Sequence, residues 1–246
     1  MSEPWCIFID IEGFRLLLGQ NEVQALRSLG ELMRSIFRIG RGCYPEPPDR
    51  LFAYQFGDGF IIASEYHEDT LDRCVAMAVA VMRHVAASGC YARAAIAEGA
   101  LADIQGCYPE EVMSQSRDGH VVMLDAGIMT VTPVMGTALT HSVGLAQEGK
   151  PASSGPLLIM GADNCSRLDP STPQTRIPET ALVSIDWVHM ESELLASVQR
   201  TAGLASPSAA KLETTLADYC ASNRVTPQWR LNVQRLLGVP EKDVPA

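Results

Sequence analysis

An α+β fold is predicted for this chain by three features of its sequence. Trp5 to Asp10 (WCIFID) is an apolar run that ends on an acid. The runs LFAYQF and FIIAS are separated by Gly57-Asp58-Gly59, and between these two regions Asn21 to Phe37 carries apolar residues at helical spacing.

Each element follows from its local chemistry. A short continuous apolar run such as Trp5 to Asp10 reads as a buried strand, and Glu12 and Gly13 then turn the chain. Val23, Leu26, Leu29, Leu32, Met33, Ile36 and Phe37 predict a helix with one buried face, with Asn21 as its N-cap. Gly40 to Pro48 is a Gly- and Pro-rich break. LFAYQF and FIIAS predict a tight hairpin with Asp58 at its tip. A second helix is expected from Asp69 to Ala87 and a strand from Tyr91 to Ala97. The resulting β-α-β-β-α-β order is the split β-α-β arrangement of ferredoxin-like folds, and right-handed crossovers put both helices on one sheet face.

Beyond this frame the spacing predicts a polar loop, Asp103 to Gly119, and a short strand, His120 to Leu124. A helix from Val134 to Gln147 follows, then strands at Leu157 to Met160 and Ala181 to Trp187. Past Glu191 the pattern changes. Ser206, Pro207 and Ser208 interrupt two helical patterns, the last ending near Leu237. The division is therefore residues 1–190 as one domain and 191–246 as a C-terminal helical extension, serving as a cap or an oligomer contact.

Composition sets outer bounds. Of 246 residues 47% are hydrophobic and 20% charged, enough apolar content for a sizeable core without disulfides or structural metal. A formal net charge of −10 argues against nucleic-acid and anionic-membrane partners, which are bound through Lys and Arg. It leaves a nucleotide possible, because metals and backbone N–H groups can neutralise phosphates locally. Seven scattered cysteines without a C-x-x-C pair read as reduced thiols, and zinc is not expected. With no signal-peptide pattern and no apolar run near the length of a membrane span, a cytoplasmic location is expected.

Two acids occupy the places where this topology joins chain ends: Asp10 closes the first strand and Asp58 tips the hairpin. Neighbouring strands lie about 4.8 Å apart, so the two carboxylates converge if the first strand runs beside the hairpin. Converging carboxylates repel unless a cation lies between them. Hard Mg²⁺ or Mn²⁺ suits two carboxylates plus phosphate oxygens, and two such ions clamp an in-line phosphoryl displacement.

The segment Phe8-Ile9-Asp10-Ile11-Glu12-Gly13-Phe14 resembles the first metal motif of class III adenylate and guanylate cyclases, and Gly57-Asp58-Gly59-Phe60 resembles the second. Arg93 to Gly99 resembles their arginine-bearing strand, Gly136 to Leu139 their dimerisation segment, and Gly155 to Leu168 the strand and short helix after it. The resemblance covers residues 5 to 190 in the correct order. It implies a homodimer with shared active sites that makes 3′,5′-cyclic monophosphate and pyrophosphate from a nucleoside triphosphate. It further implies Asp10, Ile11 and Asp58 as ligands of two Mg²⁺ or Mn²⁺ ions, and the turn Ile11, Glu12, Gly13, Phe14 as the phosphate cradle.

The departures narrow the substrate. Where adenylate cyclases carry an adenine-reading lysine and acid, this chain has Tyr54 and Pro133. Thr140 stands for their transition-state asparagine and Gly144 for their arginine. The set resembles the pyrimidine cyclases of bacterial Pycsar anti-phage defence, which make cyclic UMP or cyclic CMP for an effector encoded alongside. Tyr54 would shorten a purine pocket, and the donors of Arg93 suit pyrimidine carbonyls, so UTP is favoured over CTP. Thr140 joins Asp10 and Asp58 as a catalytic candidate, and His120 and His141 are assigned no role. The alternatives are a cyclase-like nucleotide sensor without turnover, an adenylate or guanylate cyclase with an altered base pocket, and a polymerase-like palm domain.

Overall fold

The computed structural model describes residues 3–64, 68–148 and 154–239. The chain begins with β1 (Trp5–Ile11), buried along its whole length, followed by α1 (Phe14–Gln20) and α2 (Glu22–Cys43). Then come β2 (Leu51–Phe56), β3 (Gly59–Ser64), α3 (Asp72–Ala86) and β4 (Ala92–Glu98). These four strands lie in the order β4-β1-β3-β2, every neighbour antiparallel, which is the ferredoxin-like arrangement expected.

The remaining elements extend this frame. An arm folds from β5 (Ala102–Asp103), α4 (Glu110–Met113), β6 (Ser116–Arg117), β7 (Val121–Leu124), β8 (Gly127–Thr130) and β9 (Val134–Met135). After α5 (Thr137–Glu148), β10 (Leu158–Gly161), β11 (Gln174–Arg176) and β12 (Leu182–Ile185) widen the main sheet to β11-β12-β10-β4-β1-β3-β2. β10 joins β4 in parallel. Three helices close the described chain: α6 (Glu193–Thr201), α7 (Ala209–Ser222) and α8 (Pro227–Leu236).

Strand alternation splits the core between the two sheet faces. Ile7, Ile9 and Ile11 of β1 point into the larger cluster with α2 and α3, and Cys6 and Phe8 point into a smaller one with Ala138 and Ala146 of α5. α3 has no outward face: Cys74 through Arg83 are buried in an unbroken run. One side meets the sheet and the others meet α2 and α6, so its Val and Met side chains are wanted all round. Each such burial is worth about 2 kcal/mol.

The C-terminal helices share that core. Leu195, Val198, Leu212, Leu216, Trp229, Val233 and Leu236 all belong to the larger cluster. Buried Arg83 of α3 fixes the start of this segment by donating to the carbonyls of Trp187, Val188 and Met190 at 2.6 to 3.0 Å. Three carbonyl acceptors satisfy a guanidinium whose pKa burial lowers.

Several expectations need correction. Asn21 does cap α2, accepting from the Gln24 N–H, but a separate short α1 precedes it and the helix runs through Gly40 to Cys43. Its bulky residues do not share one buried face. Val23, Leu26, Met33 and Phe37 are exposed, whereas Ala25, Ser28, Leu32, Ser35, Ile36 and Ile39 are buried. The second helix starts at Asp72, not Asp69, and the one expected from Val134 starts at Thr137, because Val134 and Met135 pair with β5. The polar loop carries short elements of its own, and the tail holds three helices, with α8 opened by Thr226 and Pro227.

Candidate functional site

Period-two alternation sends Asp10 to the face shared by Cys6 and Phe8, away from α2 and α3. Its register partners are Arg93 on β4 and Gly59 on β3. A side chain at residue 59 would put its Cβ 2.7 Å from the Ile9 carbonyl oxygen and 2.8 Å from the Asp10 Cβ. Only glycine lets the hairpin close on β1 at this level. Asp58, the residue before it, is thereby carried to the level of Asp10.

Arg93 is the hub. Its Nε donates to Asp10 Oδ1 and its Nη2 to Asp10 Oδ2, both at 2.8 Å. Glu12 Oε2 lies 3.7 Å from Arg93 Nε, and the charge of Asp58 also acts on the guanidinium. Burial alone would make Arg93 easier to deprotonate, but the hydrogen bonds and charge of Asp10, with Glu12 and Asp58, outweigh it and push its pKa up. Two carboxylates thus meet one arginine at the end of the sheet, and the charge of a third reaches it.

Glu12 links this cluster to the C-terminal helices. Its Oε1 accepts from the Gly155 N–H at 3.3 Å, and the Trp229 side chain of α8 favours its charged form. Trp229 packs against Gly155, and Asn232 of α8 donates to the Ser154 carbonyl at 2.7 Å. Burial raises the Glu12 pKa, Arg93 opposes that, and Asp10 adds to it. Glu12 Oε2 is buried without a hydrogen-bond partner.

The expected phosphate cradle is narrower than the sequence suggests. The Glu12 N–H already donates to the Tyr91 carbonyl at 2.8 Å, so it is not free for a phosphate. Gly13, at φ 70, caps α1 in the left-handed region. The N–H groups that open α1, at Phe14 and Arg15, lack acceptors within the helix.

Tyr54 and Thr140 lie elsewhere. Tyr54 lines a cleft of about 1130 Å³ between β2 and the arm, with Asp103, His120 and Pro133. Burial, with the charge of Asp103 behind it, raises its phenol pKa. Thr140 lines a separate cleft of about 610 Å³ with Glu98, His141, Gly144, Asn164 and Arg167. Its hydroxyl donates to the carbonyls of Gly136, just before its helix, and Thr137, the first residue of that helix. Neither cleft is lined by Asp10, Asp58 or Arg93. The fork of Arg93 lies on Asp10.

Among the described residues no group of three or more His, Cys, Asp and Glu is arranged to hold a metal ion. The pair Asp10 and Asp58 nevertheless offers the all-oxygen donor set that Mg²⁺ or Mn²⁺ takes, the rest of their shell being water and phosphate. The buried Glu12 oxygen, which no hydrogen bond satisfies, and the arginine set among carboxylates mark a position that takes positive charge, so the residues fit a hard cation.

Sequence reasoning reached Asp10, Asp58 and Arg93 and missed the side-chain role of Glu12 and its contact with Trp229. No local signal connects residues 217 positions apart. Among the described residues no helix is long and apolar enough to cross a membrane.

No family model matches this sequence, and no curated protein matches it. Among solved structures the chain is similar to a bacterial light-regulated adenylyl cyclase, with TM-score 0.46 and 9% identity over 88% of this chain and 56% of that one. It is similar to the guanylyl cyclase Cya2 with TM-score 0.41 and 11% identity, over 75% of this chain and 93% of that one. A second bacterial light-regulated adenylyl cyclase gives TM-score 0.45 and 10% identity, over 82% and 57%. The chain thus spans little more than half the length of the light-regulated cyclases.

Proposed function

We propose that this chain is a metal-dependent nucleotide cyclase that acts on a pyrimidine triphosphate, UTP ahead of CTP, and makes a cyclic second messenger for anti-phage defence. The observation that carries the reading is the gathering of Asp10, Glu12 and Asp58 about Arg93 at one end of a β4-β1-β3-β2 sheet. In the reaction the ribose O3′ bonds to the α-phosphorus while the bond from that phosphorus to the bridging oxygen breaks. The 3′-hydroxyl loses its proton, and pyrophosphate leaves.

Asp10 and Asp58 would hold Mg²⁺ or Mn²⁺, which supplies charge neutralisation of the triphosphate and a more acidic 3′-hydroxyl. Arg93 would turn its fork to the triphosphate once Asp10 is otherwise engaged, since a guanidinium matches phosphate as well as carboxylate. Phe14 and Arg15 N–H groups add backbone donors at the start of α1. Tyr54 would face the base across a cleft where Pro133 stands in place of the adenine-reading acid. The separation of the Tyr54 and Thr140 clefts from Asp10 supports a homodimer in which one protomer supplies the carboxylates and its partner supplies Tyr54 and Thr140.

Purified protein incubated with Mn²⁺ and each of ATP, GTP, CTP and UTP, with products read by mass spectrometry, tests this reading. Cyclic UMP is the expected product; cyclic AMP or cyclic GMP alone would overturn the pyrimidine assignment. A second reading, a sensor that binds without turnover, draws on Gly144 and on Thr140, whose hydroxyl is already spent on its own helix. Saturable UTP binding with no product from any nucleotide would decide for it. Of the two candidates to replace the arginine missing at Gly144, Arg50 lines the Tyr54 cleft, and Arg176 sits on β11 at the far edge of the sheet.

A further inference from the structure

The outer side of α2 inverts the usual pattern. Toward the core it presents Ala25, Ser28, Leu32, Ser35, Ile36 and Ile39, and the two serine hydroxyls are spent on helix carbonyls. Toward solvent it presents Val23 at 78% exposure, Leu26 at 52%, Met33 at 45% and Phe37 at 61%. Gly30 lies midway along this outer row, and a Cβ there would touch nothing within 4 Å. Positions 23, 26, 30, 33 and 37 alternate by three and four, the a/d spacing of a coiled-coil seam. The glycine leaves an open hole for a large side chain from outside.

One flank of the seam is basic. Arg27, Arg34 and Arg41 recur every seventh residue, all exposed, and Arg38 is exposed nearby. The helix has two acids: Glu22 at its start and Glu31, which is engaged with Arg34 and His84. In a chain of net charge −10 this is a local reversal of sign.

We propose that the α2 seam receives an amphipathic helix from a partner protein, apolar at heptad spacing and acidic along the flank that meets Arg27, Arg34 and Arg41. Two of every seven positions make a narrow stripe suited to another helix, whereas lying in a membrane interface takes a broad apolar face. A second copy of this chain is disfavoured by charge. An antiparallel two-fold pairing of seams sets the arginine flank against itself, and in a parallel pairing the arginines would face Leu29 and Ile36, which point inward. α2 packs on the sheet face opposite Asp10, so its occupant leaves the carboxylate cluster open.

The test is fluorescence anisotropy of the full chain with a fluorescein-labelled three-heptad peptide, Leu at a and d and Glu at e and g. Saturable binding is expected, weakened about tenfold or more by Phe37→Ser and by the pair Arg27→Glu and Arg34→Glu, and reduced by added salt. The same peptide with Lys at e and g should bind wild-type protein about tenfold more weakly, a comparison that needs no variant to fold. No binding, or equal binding of the Glu and Lys peptides, overturns the proposal. Cosedimentation with phosphatidylglycerol vesicles that Phe37→Ser abolishes, without peptide binding, overturns it in favour of lipid. A dimer by light scattering that Phe37→Ser dissociates overturns it in favour of a second copy.

Discussion

Arg93 and Asp10 face each other in register across β4 and β1, and both oxygens of the carboxylate are taken by the fork of the guanidinium at 2.8 Å. The aspartate side chain is 8% exposed and the arginine 23%, so neither is well served by water. Removing one partner takes a buried two-point ion pair from the other. Arg93→Met should therefore destabilise the chain by about 3 kcal/mol in urea denaturation. Because a divalent cation can take the arginine's place among the carboxylates, Mn²⁺ should raise the melting temperature of the variant more than that of wild type. Equal Mn²⁺ effects would remove the cation site from this cluster.

The two aspartates should separate function from stability. Asp58 is only half-buried at the hairpin tip, and Asp58→Asn should change stability by less than about 0.5 kcal/mol. On the proposed cyclase reading, turnover should still fall about a hundredfold or more. Asp10→Asn should lose turnover equally and also lose stability, since Arg93 is left half-paired. Near-wild-type turnover in either variant removes that residue from catalysis.

Glu12 gives a pH signature. Burial holds its folded-state pKa above the ordinary 4.5, so the folded chain keeps its proton longer than the unfolded chain. Its contribution is fully present below the unfolded value and is lost as pH rises through the folded one. Glu12→Gln should accordingly be more stable than wild type at pH 7, with the advantage vanishing below the ordinary carboxyl range. Melting curves of both proteins from pH 4 to 8 check this; a constant difference across that range would contradict it.

Much of this site was legible in the sequence because it is built on regular strands. An apolar run ending at Asp10 and a Gly-Asp-Gly turn prescribe a strand and a hairpin, and strand pairing then brings the acids together. Arg93 came instead from the resemblance of its strand to the arginine-bearing strand of class III cyclases. The inner face of α2 was not legible, since apolar spacing does not say which of two stripes faces the core; Ser28 and Ser35 are buried while Phe37 is not. The break at Ser206 to Ser208 was legible in the tail, but not that Ser208 caps α7 by accepting from the Lys211 N–H, nor that three helices are described there. The tail's contact with Glu12 depends on tertiary packing and leaves no periodic trace.

His189 makes the docking of α7 depend on a proton. Its Nδ1 meets Asp186 and its Nε2 meets Glu213 of α7, each at 2.7 Å. The bond to Glu213 raises its pKa most, burial opposes this, and Asp186 adds to the rise. A raised histidine contributes stability that is complete below its ordinary 6.5 and fades as pH climbs through the folded value. The melting temperature of wild type should thus fall between pH 6 and 8 more steeply than that of His189→Gln. Parallel profiles would remove this clamp.

A helix with no outside has an evolutionary cost. Along α3 every residue from Cys74 to Arg83 is enclosed, so drift there finds almost no position where a larger or charged side chain is neutral. The enclosure is completed by α6, which arrives more than a hundred residues later in the chain. Descendants of this sequence can vary α3 only in concert with α6, and a lineage that sheds its last helices must first rewrite α3 with a polar face.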